Sequence, residues 1–294
     1  ISSDELDRYL NEGLAMGQAF NAVDYKLADG LRYRYEVENC VKEMAGQDVK
    51  GKLKTAGVDK VASIKVKEKD SGNKIAVLYA EGEIRDDDSS SPFSADEQVI
   101  SEEMANKLRK LKDDDDVKAV VFRVNSPGGS AYISEQIWKE VVELKAKKPI
   151  VVSMGNYAAS GGYYISCAAN KIVAERTTLT GSIGVFGVVR NFTGTFDKVG
   201  VTTDIVKTNT FADLGDISRP MREDEKALIQ RGVEQTYDLF LTRCADGRGM
   251  TKAEIDSIGQ GRVWTGEQAL ERGLVDQLGG MDDAIKEAAT LAEL

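Results

Sequence analysis

Two glycine-rich segments hold the residues of this chain whose types and spacing could perform chemistry. Residues 125–130 read NSPGGS and residues 158–164 read AASGGYY. Within the second segment Ser160 stands between small residues, so its hydroxyl is expected to be accessible, with the N–H of Gly161 beside it. A serine hydroxyl with backbone N–H groups close by can attack a carbonyl carbon, because the N–H groups stabilise the oxyanion that forms. The pattern therefore indicates a nucleophilic serine.

Two interpretations of Ser160 are open when the residue is taken alone. A hydrolase nucleophile elbow reads Gly-x-Ser-x-Gly, and here Ala158 occupies the first glycine position. The other interpretation is a helix N-cap, where a serine oxygen accepts a backbone N–H. The paired Pro-Gly-Gly loop favours the nucleophile, since Gly128 and Gly129 allow the backbone to come close and supply further N–H groups.

Composition excludes several classes of site and partner. The chain of 294 residues contains no histidine, which excludes Ser-His-Asp and Cys-His catalysis. Its three cysteines, Cys40, Cys167 and Cys244, lie far apart without CxxC spacing, so we expect neither a disulfide framework nor a zinc site. Without imidazole ligands or a suitably spaced cluster of carboxylates and thiolates, we expect no metal, and we expect no cofactor. The net charge of -10 disfavours nucleic acid as a partner, because like charges repel at long range, whereas a peptide substrate is compatible with it.

The elements that would position these residues belong to an α/β fold. From Lys74 onward, short β-rich runs alternate with amphipathic helical stretches, which is typical of a parallel sheet with crossover helices. Strands are predicted at residues 75–79, 117–124, 150–153 and 203–206, and a loop at 86–91. Helices are predicted from about residue 160 and from the apolar faces Ile100/Met104/Leu108/Leu111, Ile133/Ile137/Val141/Leu144 and Val233/Tyr237/Phe240/Leu241. Because strand carboxyl ends and helix N-termini meet at one sheet edge, the two glycine-rich segments are expected to lie together.

Three stretches resemble the signal peptide peptidase A family, a group of membrane-associated serine peptidases in the Clp-protease and crotonase superfamily. They are residues 123–130 (RVNSPGGS), residues 154–163 (MGNYAASGGY) and residues 178–185 (TLTGSIGV), and residues 263–266 (VWTG) close the pattern. The resemblance covers about residues 74–294 and implies a Clp-protease/crotonase-like core. It also implies that Ser160 is the nucleophile, that the backbone N–H groups of Gly128, Gly129 and Gly161 bind the oxyanion, and that Ser182 orients the base.

The base implied by this resemblance is an unprotonated lysine, which would allow peptide hydrolysis without histidine. In single-repeat members the lysine follows an aromatic residue, but here Ala212 follows Phe211. In tandem-repeat members the lysine comes from the first repeat and the serine from the second, so it would lie outside this chain. The other explanation is that Lys207 serves as the base, against its more ordinary role as a solvated lysine at a strand end.

A weak internal repeat favours the first explanation. Residues 4–7 (DELD) resemble 253–256 (AEID), and residues 27–31 (LADGL) with the later 41–43 (VKE) resemble 270–274 (LERGL) with the later 285–287 (IKE). The alternative is that two amphipathic helical hairpins look alike by chance. On the repeat interpretation, residues 1–48 are the helical C-terminal remnant of an upstream repeat, 49–73 a linker and 74–294 the peptidase repeat.

Together with the internal repeat, the resemblance implies a serine endopeptidase that acts on leftover signal peptides or other membrane-associated apolar peptides through a Ser/Lys dyad divided between two repeats. The chain alone is expected to be inactive or weakly active. The resemblance further implies a ring-like homo-oligomer on the extracytoplasmic, periplasm-facing side of the cytoplasmic membrane, anchored by an N-terminal segment that this chain lacks. The alternatives are a crotonase-like acyl-CoA enzyme, which shares the fold and an oxyanion-binding N–H pair, and a catalytically inactive scaffold repeat.

Overall fold

The computed structural model describes residues 21–57, 72–86, 98–207 and 210–294, together with residues 2, 4, 5 and 8. The chain divides into two compact units, Ile1–Lys69 and Asp70–Leu294. The loop predicted at 86–91 lies outside the described residues apart from Asp86, and the predicted linker is described only at 49–57 and 72–73.

The described part of the first unit includes two short helices. They are α1 (Asn21–Asp24) and α2 (Arg34–Met44). The side chain of Glu36 fixes the start of α2, because it accepts a hydrogen bond from Tyr33 N at 2.7 Å. Val37, Val41 and Met44 are exposed on α2. This helix therefore presents an apolar face.

A mostly parallel sheet forms the centre of the second unit. Its strands are β1 (Lys74–Glu81), β2 (Glu83–Ile84), β3 (Val99–Ile100), β4 (Val117–Ser126), β5 (Ile150–Ala159), β6 (Lys171–Ala174), β7 (Leu179–Gly181), β8 (Val263–Thr265) and β9 (Gln277–Leu278). Within the described residues the main path runs β1-β4-β5-β6-β9, and β2 pairs separately with β3. In addition, β7 pairs parallel to β5 and antiparallel to β8, which brings the carboxyl end of β5 next to β7.

The helices of the second unit connect and cover these strands. They are α3 (Glu103–Asp113), α4 (Ala131–Lys145), α5 (Gly161–Tyr164), α6 (Thr193–Val199), α7 (Glu223–Arg248), α8 (Lys252–Ile258), α9 (Gly266–Glu271) and α10 (Met281–Leu291). In the part of the chain that the structure describes, no helix has the length and apolar character needed to cross a membrane.

The core lies on both faces of the sheet, because β4 and β5 are buried along most of their length. On one face Phe122 and Val152 belong to a cluster that also contains buried residues of α3, α4 and α7. On the other face Val121 and Val151 pack with Ala284 of α10. Helices on both faces of a parallel sheet define an α/β fold. The predicted class, with parallel strands and crossover helices, is confirmed.

Three details of the predicted elements are wrong. Ile100 does not begin a helix: it lies in β3, pairs with Ile84 and is buried, and α3 begins at Glu103. The helix predicted from about residue 160 is a single turn, α5. Residues 203–206 form no strand, since no other strand in the described residues takes up their backbone hydrogen bonds, and Val206 is 98% exposed. A β-rich run becomes a strand only where such a partner exists.

An ion-pair network fixes the segment that leads into α7. Arg219 donates to both carboxylate oxygens of Glu225, at 2.5 and 2.8 Å, and to Asp213 Oδ2 at 2.7 Å. Glu225 is 1% exposed and also accepts a hydrogen bond from Arg222 N at 2.8 Å. The hydrogen bond from Arg219, followed by that from the Arg222 backbone, lowers the pKa of Glu225 from its ordinary 4.5 to about 2. The charged carboxylate is thus the form that the fold requires.

The Glu225→Gln variant tests this network through the pH dependence of stability. The pKa of Glu225 is lower in the folded chain than in the unfolded chain. The contribution of its carboxylate to the free energy of unfolding is therefore complete above pH 4.5 and is lost as the pH falls towards 2. Urea denaturation is expected to show the variant less stable than the unsubstituted chain at neutral pH, with a difference that shrinks between about pH 5 and about pH 3. Glu234→Gln, an exposed substitution on the same helix, is the control. A constant difference for Glu225→Gln across this range would contradict the network.

Candidate active site

Ser160 occupies the sharp turn between the end of β5 and the start of α5. Its backbone angles are φ 52° and ψ −119°, a combination that costs a residue other than glycine about 1–3 kcal/mol. Two hydrogen bonds hold it there: Ser160 N donates to Gly181 O at 3.0 Å, and Ser160 O accepts from Tyr164 N at 2.9 Å. A strained strand-to-helix turn that presents a serine has the geometry of a nucleophile elbow, even with alanine at position 158.

The Ser160 hydroxyl does not cap the helix that follows it. Ser160 stands at the N-cap position of α5, yet its side chain accepts no backbone N–H there. Ser130 provides the comparison, because its Oγ accepts a hydrogen bond from Ile133 N at 3.4 Å at the start of α4. The N-cap interpretation is therefore wrong for the side chain of Ser160, and its hydroxyl is left for another role.

The loop that contains Gly128 and Gly129 lies directly against this turn. Gly128 has φ +107°, and a Cβ atom there would lie 2.8 Å from Ser160 Cβ and 2.7 Å from Gly161 N. Only glycine allows this approach. Ile84 holds the loop, since its N–H donates to Gly128 O at 2.8 Å and its carbonyl accepts from Ser130 N at 2.6 Å. The structure thus places the two glycine-rich segments together, as the sequence predicts.

The backbone N–H groups of these segments differ in their availability. Gly128 N donates to Ser126 Oγ at 3.2 Å. Gly129 N and Gly161 N have no hydrogen-bond partner among the described residues. Two of the three candidate donors are therefore free to bind an oxygen that approaches Ser160, one from each glycine-rich segment.

A cavity of about 750 Å³ opens beside Ser160. Its lining consists of Glu83, Pro127, Gly128, Gly129, Ser160, Ser182, Gly184, Val185, Phe186, Gln230, Val233, Glu234, Tyr237, Gln260 and Gly261. A smaller adjoining pocket of about 160 Å³ is lined by Ser160 and Gly161, with Tyr164 and Phe240 among the apolar residues. Each of the five predicted site residues lines at least one of these two adjoining pockets: Gly128, Gly129, Ser160, Gly161 and Ser182.

Ser182 enters this cavity from the end of β7. It has a positive φ of 48°, which a serine rarely adopts, and its N–H donates to Arg262 O at 2.7 Å. Its hydroxyl has no hydrogen-bond partner within the described ranges. A second unbonded hydroxyl therefore lies on the wall of the cavity that holds Ser160.

Lys207 is held elsewhere. Its Nζ donates to Asp213 Oδ1 at 2.9 Å and to Thr210 O at 3.4 Å, and it lines neither cavity. The hydrogen bond from Lys207, followed by those from Arg219, lowers the pKa of Asp213 well below its ordinary value. The ammonium group of Lys207 is thus held in an ion pair outside the two cavities. None of the lysines that the structure describes lines the two cavities.

The arrangement can perform acyl transfer once a base is supplied. It offers a hydroxyl in a strained turn, two N–H donors from separate loops, and an opening that both apolar and polar side chains line. Two residues that support this arrangement, Ile84 and Tyr237, were not predicted from the sequence. No local pattern marks Ile84. Tyr237 carries a signal, because its hydroxyl is a polar group on the otherwise apolar face of α7. Among the described residues no group of three or more Cys, Asp or Glu side chains could hold a metal ion.

Sequence comparisons with known proteins identify related families. Residues 142–294 match the sequence profile of peptidase family S49, and residues 93–183 match that of Clp protease. Protease 4 of Salmonella typhi is 41% identical over 274 residues, which cover 93% of this chain and 43% of that protein. Serine protease SPPA, chloroplastic, of Arabidopsis thaliana is 33% identical over 297 residues, which cover 99% of this chain and 43% of that protein.

Protease 4 of Haemophilus influenzae is a third relative, 43% identical over 220 residues that cover 74% of this chain and 35% of that protein. The chain thus spans less than half the length of these three relatives.

Replacing Ser160 by glycine is expected to stabilise the chain. Glycine adopts φ 52° without strain, so the free energy of unfolding should rise by about 1 kcal/mol, net of the freedom that glycine adds to the unfolded chain. Ser160→Ala removes the same hydroxyl but keeps the Cβ atom, and should change the stability by less than about 0.5 kcal/mol. Urea denaturation of the three proteins measures both effects. Equal stability of the glycine and alanine variants would show that the turn is not strained.

Proposed function

The chain belongs to peptidase family S49, and from this membership we propose that it is the nucleophile-bearing part of a serine endopeptidase. The observation that carries the proposal is the strained turn at Ser160, whose hydroxyl caps no helix and lies beside the unpartnered N–H groups of Gly129 and Gly161. Strain of this kind persists at functional sites because the surrounding structure enforces it.

Hydrolysis follows from this geometry. Ser160 Oγ attacks the peptide carbonyl carbon while the base takes its proton, and the carbonyl oxygen gains charge within reach of Gly129 N and Gly161 N. The base then gives the proton to the leaving amine, and the acyl ester on Ser160 is hydrolysed by water through the same proton route. Each fixed donor of this type accounts for about 10²–10³-fold in rate, because it needs no rearrangement when the charge develops.

The base of this reaction is a lysine that a preceding repeat of the full-length protein supplies. Three observations support this assignment. No lysine of the described residues lines the cavity, Lys207 is held by Asp213, and the relatives in the comparison are more than twice as long as the stretch they share with this chain. Ser182 then orients the incoming amine, since its free hydroxyl lies on the same cavity wall as Ser160. The likeness between residues 27–43 and 270–287 supports a duplicated ancestor.

The substrates are peptides with apolar side chains, such as leftover signal peptides. Val185, Phe186 and Val233 line the larger cavity, and Tyr164 and Phe240 line the pocket next to Ser160, so apolar side chains have surfaces to bind. The proposal includes a ring-like homo-oligomer on the extracytoplasmic side of the cytoplasmic membrane, with an N-terminal anchor in the full-length protein. Family membership is its only support.

Two other functions account for fewer of these features. An acyl-CoA enzyme of the crotonase type uses an oxyanion-binding N–H pair but has no need of a serine in a strained turn. A scaffold repeat is favoured by the lysine-free cavity, yet it would not require two unpartnered donors around a free hydroxyl. A serine peptidase accounts for both the strained serine turn and the two unpartnered N–H donors.

Peptide hydrolysis by the full-length protein tests the divided dyad. Ser160→Ala is expected to lower kcat by at least about 10³-fold, because the nucleophile is lost. The matched lysine substitution, Lys207→Ala, should change kcat by less than about twofold if it removes only an ion pair. The 1–294 chain alone should hydrolyse the same fluorogenic peptide at a rate close to that of the Ser160→Ala protein.

Each contrary result would show a different part of the proposal to be wrong. Full activity of the 1–294 chain, abolished by Lys207→Ala, would show that the base is Lys207. Unchanged activity of full-length Ser160→Ala would make this repeat a scaffold.

A further inference from the structure

Tyr237 joins three elements at the wall of the cavity. It lies on α7, and its hydroxyl donates to Asp256 Oδ1 of α8 at 2.6 Å. The same oxygen accepts a hydrogen bond from Gln260 N at 3.0 Å. Burial, followed by the hydrogen bond to Asp256, raises the pKa of Tyr237 to about 12, so the hydroxyl stays protonated and can serve as donor and acceptor together.

The turn of residues 259–262, which Tyr237 contacts, is an irregular segment between α8 and β8. Gln260 has φ 57° and Gly261 has φ 76°, so two successive residues occupy the left-handed region. Gly259 approaches so closely that a Cβ atom there would lie 3.1 Å from Tyr237 Oη. Arg262 closes the turn, because its Nε donates to Gly259 O at 2.9 Å. The hydroxyl of Tyr237 is the contact that ties this turn to a long helix.

The same turn holds the backbone of Ser182. Arg262 O accepts from Ser182 N at 2.7 Å, and Gly261 N donates to Ile183 O at 2.8 Å. These two hydrogen bonds bracket a serine whose own φ is 48°. A residue other than glycine keeps such a conformation only where several contacts with the surrounding structure enforce it. The turn therefore helps to hold Ser182 in position. Tyr237 is one of the contacts that hold the turn, together with the hydrogen bond from Gln260 Nε2 to Asp256 Oδ2 at 3.3 Å.

We propose that Tyr237 is a positioning residue that holds Ser182 in place through the 259–262 turn. The role rests on the proposed function, in which Ser182 orients the lysine base. Tyr237 needs no contact with the substrate to act in this way. Its ring is part of the packing around α7, but the positioning depends on the oxygen alone, which phenylalanine lacks.

Steady-state kinetics of the full-length protein with Tyr237→Phe and Ser182→Ala, singly and together, tests this proposal. Tyr237→Phe is expected to lower kcat about fivefold to tenfold with KM changed by less than about twofold, the size of effect that loss of one hydrogen bond produces. In the Ser182→Ala background the same change should cost less than about twofold, because two residues that act through one group are not additive. Tyr79→Phe, an exposed tyrosine of β1 outside the cavity, is the matched control.

Hydrogen exchange of the same proteins supplies a readout that does not depend on turnover. Amides of residues 182 and 260–261 should exchange faster in Tyr237→Phe than in the Tyr79→Phe control, while those of α7 should not. Full additivity of the two substitutions, or unchanged exchange at these amides, would overturn the role of Tyr237 alone. If Ser182→Ala leaves kcat unchanged, the assigned function of Ser182 is wrong and the inference falls with it.

Discussion

Ser160 is kept in a backbone conformation that L-amino acids rarely adopt, and much of the second unit is arranged around that turn. The carbonyl of Gly181 holds its N–H from β7, and the N–H of Tyr164 holds its carbonyl from α5. The loop of Gly128 presses against it so closely that a methyl group would not fit. Because the contacts from Gly181 and Gly128 come from two segments distant in sequence, the turn cannot relax without moving the sheet edge.

The strain has a chemical consequence. A relaxed helix start would let the serine oxygen bond a backbone N–H, as Ser130 does at the start of α4. In the conformation observed, the hydroxyl is withheld from that bond and the N–H of Gly161 is left without a partner. The same close approach brings Gly129 N from the other loop. The proposed nucleophile and the proposed oxyanion donors thus come from one backbone arrangement rather than from separate features.

Much of this could be predicted from the sequence, because the signals are local. The alternation of β-rich and amphipathic runs indicated the α/β fold, and the NSPGGS and AASGGYY segments marked the sheet edge. The helix predicted to begin at Ile100 is wrong because the spacing from Ile100 to Met104 is helical, but the pairing of β3 with the two-residue strand β2 places Ile100 in a strand. The contribution of Ile84 to the loop and the hydrogen bond from Gln260 N to Tyr237 arise only from tertiary contacts. No periodicity of the chain encodes them.

We propose that Ser160 is a nucleophile whose oxyanion donors lie in this chain and whose base does not. A crystal structure of the full-length protein with a peptide aldehyde tests it most directly. We expect a hemiacetal on Ser160 Oγ, its oxygen within about 3 Å of Gly129 N and Gly161 N, and a lysine from the preceding repeat in hydrogen-bond contact with Ser160 and Ser182. An adduct on another residue, or Lys207 in the position of the base, would contradict the claim.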